Sequence, residues 1–186
     1  MSEIEIQLNG LEVAVVEDEP MGLEGLIQIL QKLGCNVVWT AKNYEDAEEK
    51  AQSYLPNVVF VDLKLLRGTN DYETGWQLVK ALRGRDSRIS VIICSSTPVV
   101  DNIVLEAIHL GCPYIVKQDL WQQEQTVVAS ALLAAHSKSV TLSNEVAGAI
   151  QGIVSKIRGK GGLSLREQEV LELVAAGLTN EDIAAV

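Results

Sequence analysis

The sequence predicts an α/β protein built on a doubly wound, five-stranded parallel sheet. Short runs of β-branched residues alternate five times with longer segments in which apolar residues recur at helical spacing. Several runs are apolar at every position, which is typical of strands covered on both faces. Strand–helix–strand units join parallel strands through right-handed crossovers, so we expect helices on both faces of one sheet.

The five predicted strand and helix pairs follow one another in order along the chain. The first strand is LEVAVV, and the helix after it, MGLEGLIQILQKLG, has Gly34 where a helix would end. The next strands are NVVWT, NVVFVD, SVIICSS and YIVK. Helices are predicted after them around YEDAEEKAQSY, TGWQLVKALR, VVDNIVLEAIHLG and residues 120–133.

The pattern changes after Ala135, which predicts three parts: an α/β domain over 1–135, a helical linker over 136–162 and a small all-α unit over 163–186. The linker ends in a basic Gly/Lys segment. In the last unit, Ser164 and Glu167 have the spacing of a capping box, and Gly177 lies where that helix would end. A further helix opens with TNEDIAAV and the sequence stops within it, so we expect this unit to be truncated.

Composition excludes several classes of protein. The chain has 186 residues, 47% of them apolar, and a net charge of −10, which disfavours nucleic-acid binding by the chain as a whole. Its apolar stretches fall short of the about 20 residues that a membrane span needs, and its N-terminus does not resemble a signal peptide. The expected location is the cytoplasm.

Three cysteines without a CxxC pair are expected to be buried free thiols: Cys35, Cys94 and Cys112.

Polar residues lie at the carboxyl ends of four predicted strands, which converge on one edge of such a sheet. They are Glu17 and Asp18 after the first strand, Asp62 at the third, Ser95 at the fourth and Lys117 at the fifth. Carboxylates crowded together favour a compensating cation, and an oxygen-only cluster suits Mg²⁺. Any one of these residues has an ordinary structural explanation, such as a solvated strand end or a turn. Their combination at one edge of the sheet predicts a functional site that binds Mg²⁺.

The same residues suit phosphoryl transfer onto the protein. Asp62 would be both a metal ligand and the nucleophile, while Lys117 supplies a positive charge and Ser95 a hydroxyl donor. Ser96 or Thr97 could take the place of Ser95.

This pattern resembles the response regulators of two-component signalling, specifically the NarL/FixJ type with a receiver domain and a LuxR-type helix-turn-helix. The matching residues are the acidic pair Glu17-Asp18, then Asp62, Ser95, and Tyr114 three positions before Lys117. The resemblance implies a flavodoxin-like receiver in which a histidine kinase or phosphotransfer protein phosphorylates Asp62. It implies that Mg²⁺ (or Mn²⁺) is held by Glu17, Asp18, Asp62 and the backbone carbonyl of Lys64. It also implies that Ser95 and Tyr114 report phosphorylation to the face formed by the fourth helix, fifth strand and fifth helix.

The segment LSLREQEVLELVAAGLTNEDIAAV is similar to the opening of the LuxR-type domain. The recognition helix of that domain would follow it, so we expect the parent protein, and not these 186 residues, to bind DNA. The expected output is transcription, through a homodimer favoured by phosphorylation. We expect no enzymatic turnover beyond slow loss of the protein's own phosphoryl group.

Two other functions stay open at the level of sequence. One is a pseudo-receiver that docks a partner without phosphorylation. The other is a metal-dependent phosphatase or hydrolase, which would use the same residues on an external substrate. The loop after Asp62, LKLLRGTNDYETG, is also a few residues longer than is usual in the family.

Overall fold

The computed structural model of the protein describes residues 8–65, 72–86, 88–96 and 101–136, together with the helical residues 146 and 150. Residues 66–71 of the long loop, most of the predicted linker and the whole predicted helix-turn-helix segment lie outside the described residues. The N-terminal extension is described from Leu8, whose side chain is buried.

Five parallel strands form one sheet, as the sequence predicts. They lie in the order β2-β1-β3-β4-β5, which places β3 at the centre. The strands are β1 (Glu12–Val16), β2 (Asn36–Ala41), β3 (Val58–Val61), β4 (Ser90–Ser95) and β5 (Tyr114–Val116). The reversal of strand order at β1 leaves the carboxyl ends of β1 and β3 side by side, which is where sites form in folds of this type.

Five helices connect and follow these strands, and local signals set several of their ends. They are α1 (Pro20–Lys32), α2 (Tyr44–Ser53), α3 (Glu73–Arg85), α4 (Asp101–His109) and α5 (Lys117–His136). Pro20 starts α1, where a missing N–H costs nothing. Gly34 follows α1 with φ +82°, the left-handed conformation predicted for a helix stop. Asn43 caps α2 by accepting a hydrogen bond from the Asp46 amide.

The fifth helix begins earlier than predicted. Its first residue is Lys117, which the sequence pattern assigned to the end of β5, whereas the predicted start was Leu120. Lys117 therefore enters the site from the first turn of α5, directly after the strand.

Alternate residues of each strand enter two separate apolar cores. Val61 and Ile93 face the core beneath α2, α3 and α4. Phe60 and Ile92 face the core beneath α1 and α5. Because both faces are covered, the central strands have no polar side, which explains their uninterrupted apolar sequences. Val146 and Ile150, four positions apart in the sequence, are fully buried and belong to the first core.

The three cysteines are free and buried, which confirms the prediction. Burial raises the pKa of the Cys35 and Cys112 thiols to about 11. Both are therefore protonated and unreactive near neutral pH. Among the described residues, none of the helices combines the length and the apolar character that crossing a bilayer requires.

Arg83 ties α3 to two other elements. Its guanidinium donates hydrogen bonds to the carbonyl oxygen of Ile89, just before β4, at 2.6 Å and to that of Leu110, just after α4, at 3.0 Å. Near the amino end of the same helix, the Trp76 indole donates a hydrogen bond to the Glu106 carboxylate of α4 at 3.0 Å. Two contacts seven residues apart on α3 thus hold the last turn of α4 and the residue that follows the helix.

We predict that Arg83→Met lowers the free energy of unfolding by about 2–3 kcal/mol, since it removes two charge-assisted hydrogen bonds from partly buried carbonyl groups. Urea unfolding measures the change. Arg88→Met is the matched control, because the Arg88 side chain is 88% exposed and pairs only with Asp86 among the described ion pairs. Equal losses in the two variants would contradict a structural role for the Arg83 contacts.

Candidate functional site

The carboxyl edge of the sheet brings together the side chains that directly follow β1 and β3 with one from the start of α5. The Lys117 ammonium lies 2.5 Å from a Glu17 carboxylate oxygen and 2.7 Å from an Asp62 carboxylate oxygen. All three residues are buried, each at 7% exposure or less. These residues are far apart in sequence, and the parallel strands place them at one point.

Glu17 is held by its own turn as well as by Lys117. Its amide donates to the Ala41 carbonyl at 2.9 Å, which continues the β1–β2 pairing by one residue. Its carboxylate accepts a hydrogen bond from the Glu19 amide at 3.2 Å. The chain then enters α1 at Pro20, so the acidic pair lies in the short bend between strand and helix.

Asp62 occupies the corresponding position after the central strand. Its amide donates to the Val16 carbonyl at 2.9 Å, which fixes the backbone against β1. One carboxylate oxygen accepts from the Lys64 amide at 3.0 Å and the other accepts from Lys117 at 2.7 Å. Both oxygens are therefore oriented, and the residue is 3% exposed.

Burial and mutual repulsion shift the protonation of this cluster. Burial raises the pKa of Glu17 to about 7, because the attraction of Lys117 only partly offsets the loss of water and Asp62 adds repulsion. Burial also raises the pKa of Asp62, against the attraction of Lys117. For Lys117, burial alone would lower the pKa, but the neighbouring Asp62 and Glu17 carboxylates outweigh it and the pKa is raised. One ammonium thus serves two buried carboxylates.

A third carboxylate, Asp18, makes the cluster a potential metal site. Glu17, Asp18 and Asp62 each offer an oxygen, and these oxygens lie within 4.8 Å of one another. Asp18 is half-buried, so the cluster has an open side. An oxygen-only donor set of this size, with an excess of negative charge and access to water, fits Mg²⁺. Lys64, predicted to add its carbonyl, lies in the turn that its amide makes with Asp62.

The predicted hydroxyl group, Ser95, is the last residue of β4 and is fully buried, whereas Ser96 is exposed. Thr97 lies outside the described residues. Tyr114 is 1% exposed at the start of β5, and its hydroxyl shares a side-chain hydrogen bond with Ser95. Burial raises the pKa of Tyr114 to about 12, so the hydroxyl keeps its proton. The structure therefore joins the two residues predicted to act together.

A glycine that sequence reasoning did not single out sets the geometry at Asp62. A Cβ on Gly75, in the first turn of α3, would lie 2.4 Å from both the Cα and the carbonyl oxygen of Leu63 and 2.5 Å from the carbonyl oxygen of Asp62. The helix therefore rests directly on the backbone that carries Asp62. A glycine within a helical pattern was the only sequence signal, and it did not indicate what the helix would contact.

Comparison with known proteins gives this arrangement a context. The profile of the response regulator receiver domain family matches residues 13–125, more than half of the chain. The chain belongs to the response regulator receiver domain family. This match covers β2 to β5, all of β1 except Glu12, and each residue of the cluster, so the predicted family is confirmed.

Two curated response regulators show how far the similarity extends. The chain is 26% identical over 188 residues to the transcriptional regulatory protein LnrK of Bacillus subtilis, which covers 94% of this chain and 81% of LnrK. It is 27% identical over 179 residues to the nitrate/nitrite response regulator protein NarL of Escherichia coli, which covers 92% of this chain and 78% of NarL. Both alignments continue beyond the receiver domain.

Among solved structures, the signal receiver domain of NarL from Mycobacterium tuberculosis is 25% identical to this chain. The match covers 69% of this chain and 98% of that one, with a TM-score of 0.57. The predicted flavodoxin-like receiver fold is therefore confirmed.

We predict that Gly75→Ala lowers the free energy of unfolding by about 1–3 kcal/mol, because the added methyl group must displace backbone at Asp62 and Leu63. The measurement is urea unfolding. Gly84→Ala, in the same helix, is the control: a Cβ there meets nothing within 4 Å, so the gain in helix propensity should leave the protein as stable or more stable. An equal change in the free energy of unfolding in the two variants would show that the close approach of α3 to the Asp62 backbone does not affect stability.

Proposed function

We propose that this protein is a two-component response regulator switched by phosphorylation of Asp62. The supporting observation is the contact of the Asp62 carboxylate with the Lys117 ammonium at 2.7 Å, beside Glu17 and Asp18 oxygens within 4.8 Å. Family membership supports this class of reaction, and the contact between Asp62 and Lys117 supports the choice of Asp62 as the acceptor.

In the proposed reaction, an Asp62 carboxylate oxygen attacks the phosphorus of a phosphohistidine on a sensor kinase or phosphotransfer protein. A phosphorus–oxygen bond forms as the phosphorus–nitrogen bond breaks, and the imidazole leaves with the electron pair and takes a proton. Lys117 offsets negative charge at the acceptor, and the Ser95 hydroxyl donates to a phosphoryl oxygen. The product is an aspartyl phosphate held at the same edge.

Glu17, Asp18 and Asp62 would hold Mg²⁺ or Mn²⁺ in this reaction, with the Lys64 carbonyl as a further ligand. The ion, when bound, neutralises charge on the phosphoryl oxygens. The excess of carboxylates over ammonium groups in the cluster, and the raised pKa of Glu17, support a cation here.

The proposed output is control of transcription through a LuxR-type helix-turn-helix, which residues 163–186 would begin. The similarity to LnrK, which is a transcriptional regulatory protein and aligns with 94% of this chain, supports this output. We propose that DNA binding through this unit uses a homodimer favoured by phosphorylation and that the protein has no external substrate. Three free, buried thiols support a reducing compartment such as the cytoplasm.

The Ser95–Tyr114 hydrogen bond suggests how the site would reach the rest of the domain. A phosphoryl group on Asp62 that recruits the Ser95 hydroxyl would change the partner available to Tyr114. Tyr114 lies in β5, beside α4 and α5. We propose that this change shifts the population between two arrangements of that face.

We predict that acetyl phosphate with Mg²⁺ adds one phosphoryl group to the protein, detected by intact mass and removed by hydroxylamine. Asp62→Asn should abolish the mass gain, because an amide oxygen is a poor nucleophile, whereas Asp46→Asn, a surface variant with the same charge change, should retain it. No gain on the wild type, with either a small donor or a phosphohistidine donor, would favour the pseudo-receiver. Continued turnover of a phosphate ester, beyond one equivalent per chain, would favour a hydrolase.

We predict that Mg²⁺ stabilises the folded protein, because the three carboxylates meet only in the fold. Ligand at 100 times its dissociation constant adds about 2.7 kcal/mol to the free energy of unfolding, and urea unfolding with Mg²⁺ or EDTA measures it. Asp18→Asn should remove most of this gain, and Glu49→Gln, which changes the charge equally on exposed α2 surface, should preserve it. A gain of the same size in both variants would indicate that the ion binds elsewhere.

A further inference from the structure

Gly22, in the first turn of α1, lies against the carboxylate of Glu17. A Cβ at position 22 would be 3.1 Å from the Glu17 Cδ and 3.2 and 3.4 Å from its two carboxylate oxygens. Carbon atoms in favourable contact lie about 3.5–4.0 Å apart, so even one methyl group is too close. Either the helix or the carboxylate would have to move.

The Glu17 carboxylate has little freedom to move. Lys117 holds one oxygen at 2.5 Å and the Glu19 amide holds the other at 3.2 Å. The side chain is almost wholly buried, with 3% of the residue exposed. A displacement that relieved the contact would therefore lengthen at least one of these bonds.

The space next to Gly22 does not offer the carboxylate an alternative position. A small cavity there is lined by Glu17, Gly22 and Lys117 and otherwise by apolar or uncharged side chains: Leu26, Ile29, Cys94 and Leu120. A carboxylate pushed among them would lose its partners without gaining water, which is costly. A methyl group at position 22 would itself take up part of that cavity.

We propose that Gly22 is a positioning residue for the metal ligand Glu17. Glutamate is one methylene longer than aspartate, and the missing side chain at position 22 gives the longer residue room to keep its carboxylate beside Lys117 and the other two acids. Glu17 and Gly22 are thus a matched pair. The metal part of this inference rests on the proposed function, whereas the contact itself does not.

A shorter acid should remove the need for glycine. In Glu17→Asp the carboxylate is drawn back toward the strand by one methylene, away from position 22. A methyl group at position 22 then meets open space, and alanine also favours a helix more than glycine does. The effect of Gly22→Ala should therefore depend on which acid occupies position 17.

The first test is a double-mutant cycle on the metal-free protein in EDTA, with urea unfolding as the measurement. With Glu17 present, Gly22→Ala should lower the urea midpoint. With Asp at position 17, the same change should leave the midpoint unchanged or raise it. Gly84→Ala, an exposed helix glycine with nothing within 4 Å of its Cβ, controls for helix propensity and should not depend on position 17. The same shift from Gly22→Ala in both backgrounds would overturn the proposed contact.

The second test is Mn²⁺ affinity, measured from the electron paramagnetic resonance signal of the free ion. Gly22→Ala should weaken binding about tenfold, and the double variant should bind within about twofold of Glu17→Asp alone. Equal weakening in both backgrounds, or none in either, would overturn the positioning role. Absence of Mn²⁺ binding by the wild type would contradict the proposed metal site, and the stability cycle would still decide whether Gly22 and Glu17 are a matched pair.

Discussion

One buried ammonium group holds this site together. Lys117 contacts carboxylates that follow β1 and β3, although β5, which delivers the lysine, is two strands away from β3 in the sheet. Oxygens of the Glu17 and Asp62 carboxylates lie within 4.8 Å of each other. Without a positive charge nearby, two buried carboxylates this close could not both be ionised. Because removing such groups from water is costly, these buried ion pairs contribute little net free energy to folding. The surrounding elements serve to bring these groups to one point.

The sequence predicted the sheet and the clustered residues because their signals are local or topological. Uninterrupted apolar runs identify strands covered on both faces, and β3 shows this directly, because Phe60 is buried in the core on one face and Val61 in the core on the other. Asp62 and Lys117 could be expected to meet because parallel strands end at one edge. The start of α5 was predicted three residues late, since the polar residues after Val116 suit a helix and a loop equally well and contain no glycine or proline to mark a boundary.

The two glycines beside the site could not be interpreted from sequence. Gly75 matters because its helix touches the Asp62 backbone, and Gly22 because its helix touches a carboxylate, and both contacts exist only after the helices pack on the sheet. The pattern around each glycine predicts only a helix that contains one residue of low helix propensity. Sequence therefore predicted which polar groups would meet, whereas the close approaches that orient them depend on tertiary packing.

The attachment of α4 to α3 has a mechanical consequence for the domain. Arg83 fastens the carboxyl end of α4 to the end of α3 and to the start of β4, and Trp76 adds a contact one turn earlier. The amino end of α4 follows residues 97–100, close in sequence to Ser95, and lies furthest from the arginine. These contacts hold the segment from Glu106 to Leu110 against α3, whereas the first turn of α4 precedes both of them. A small shift beside Ser95 would move the opening turn of α4 most and leave its last turn in place.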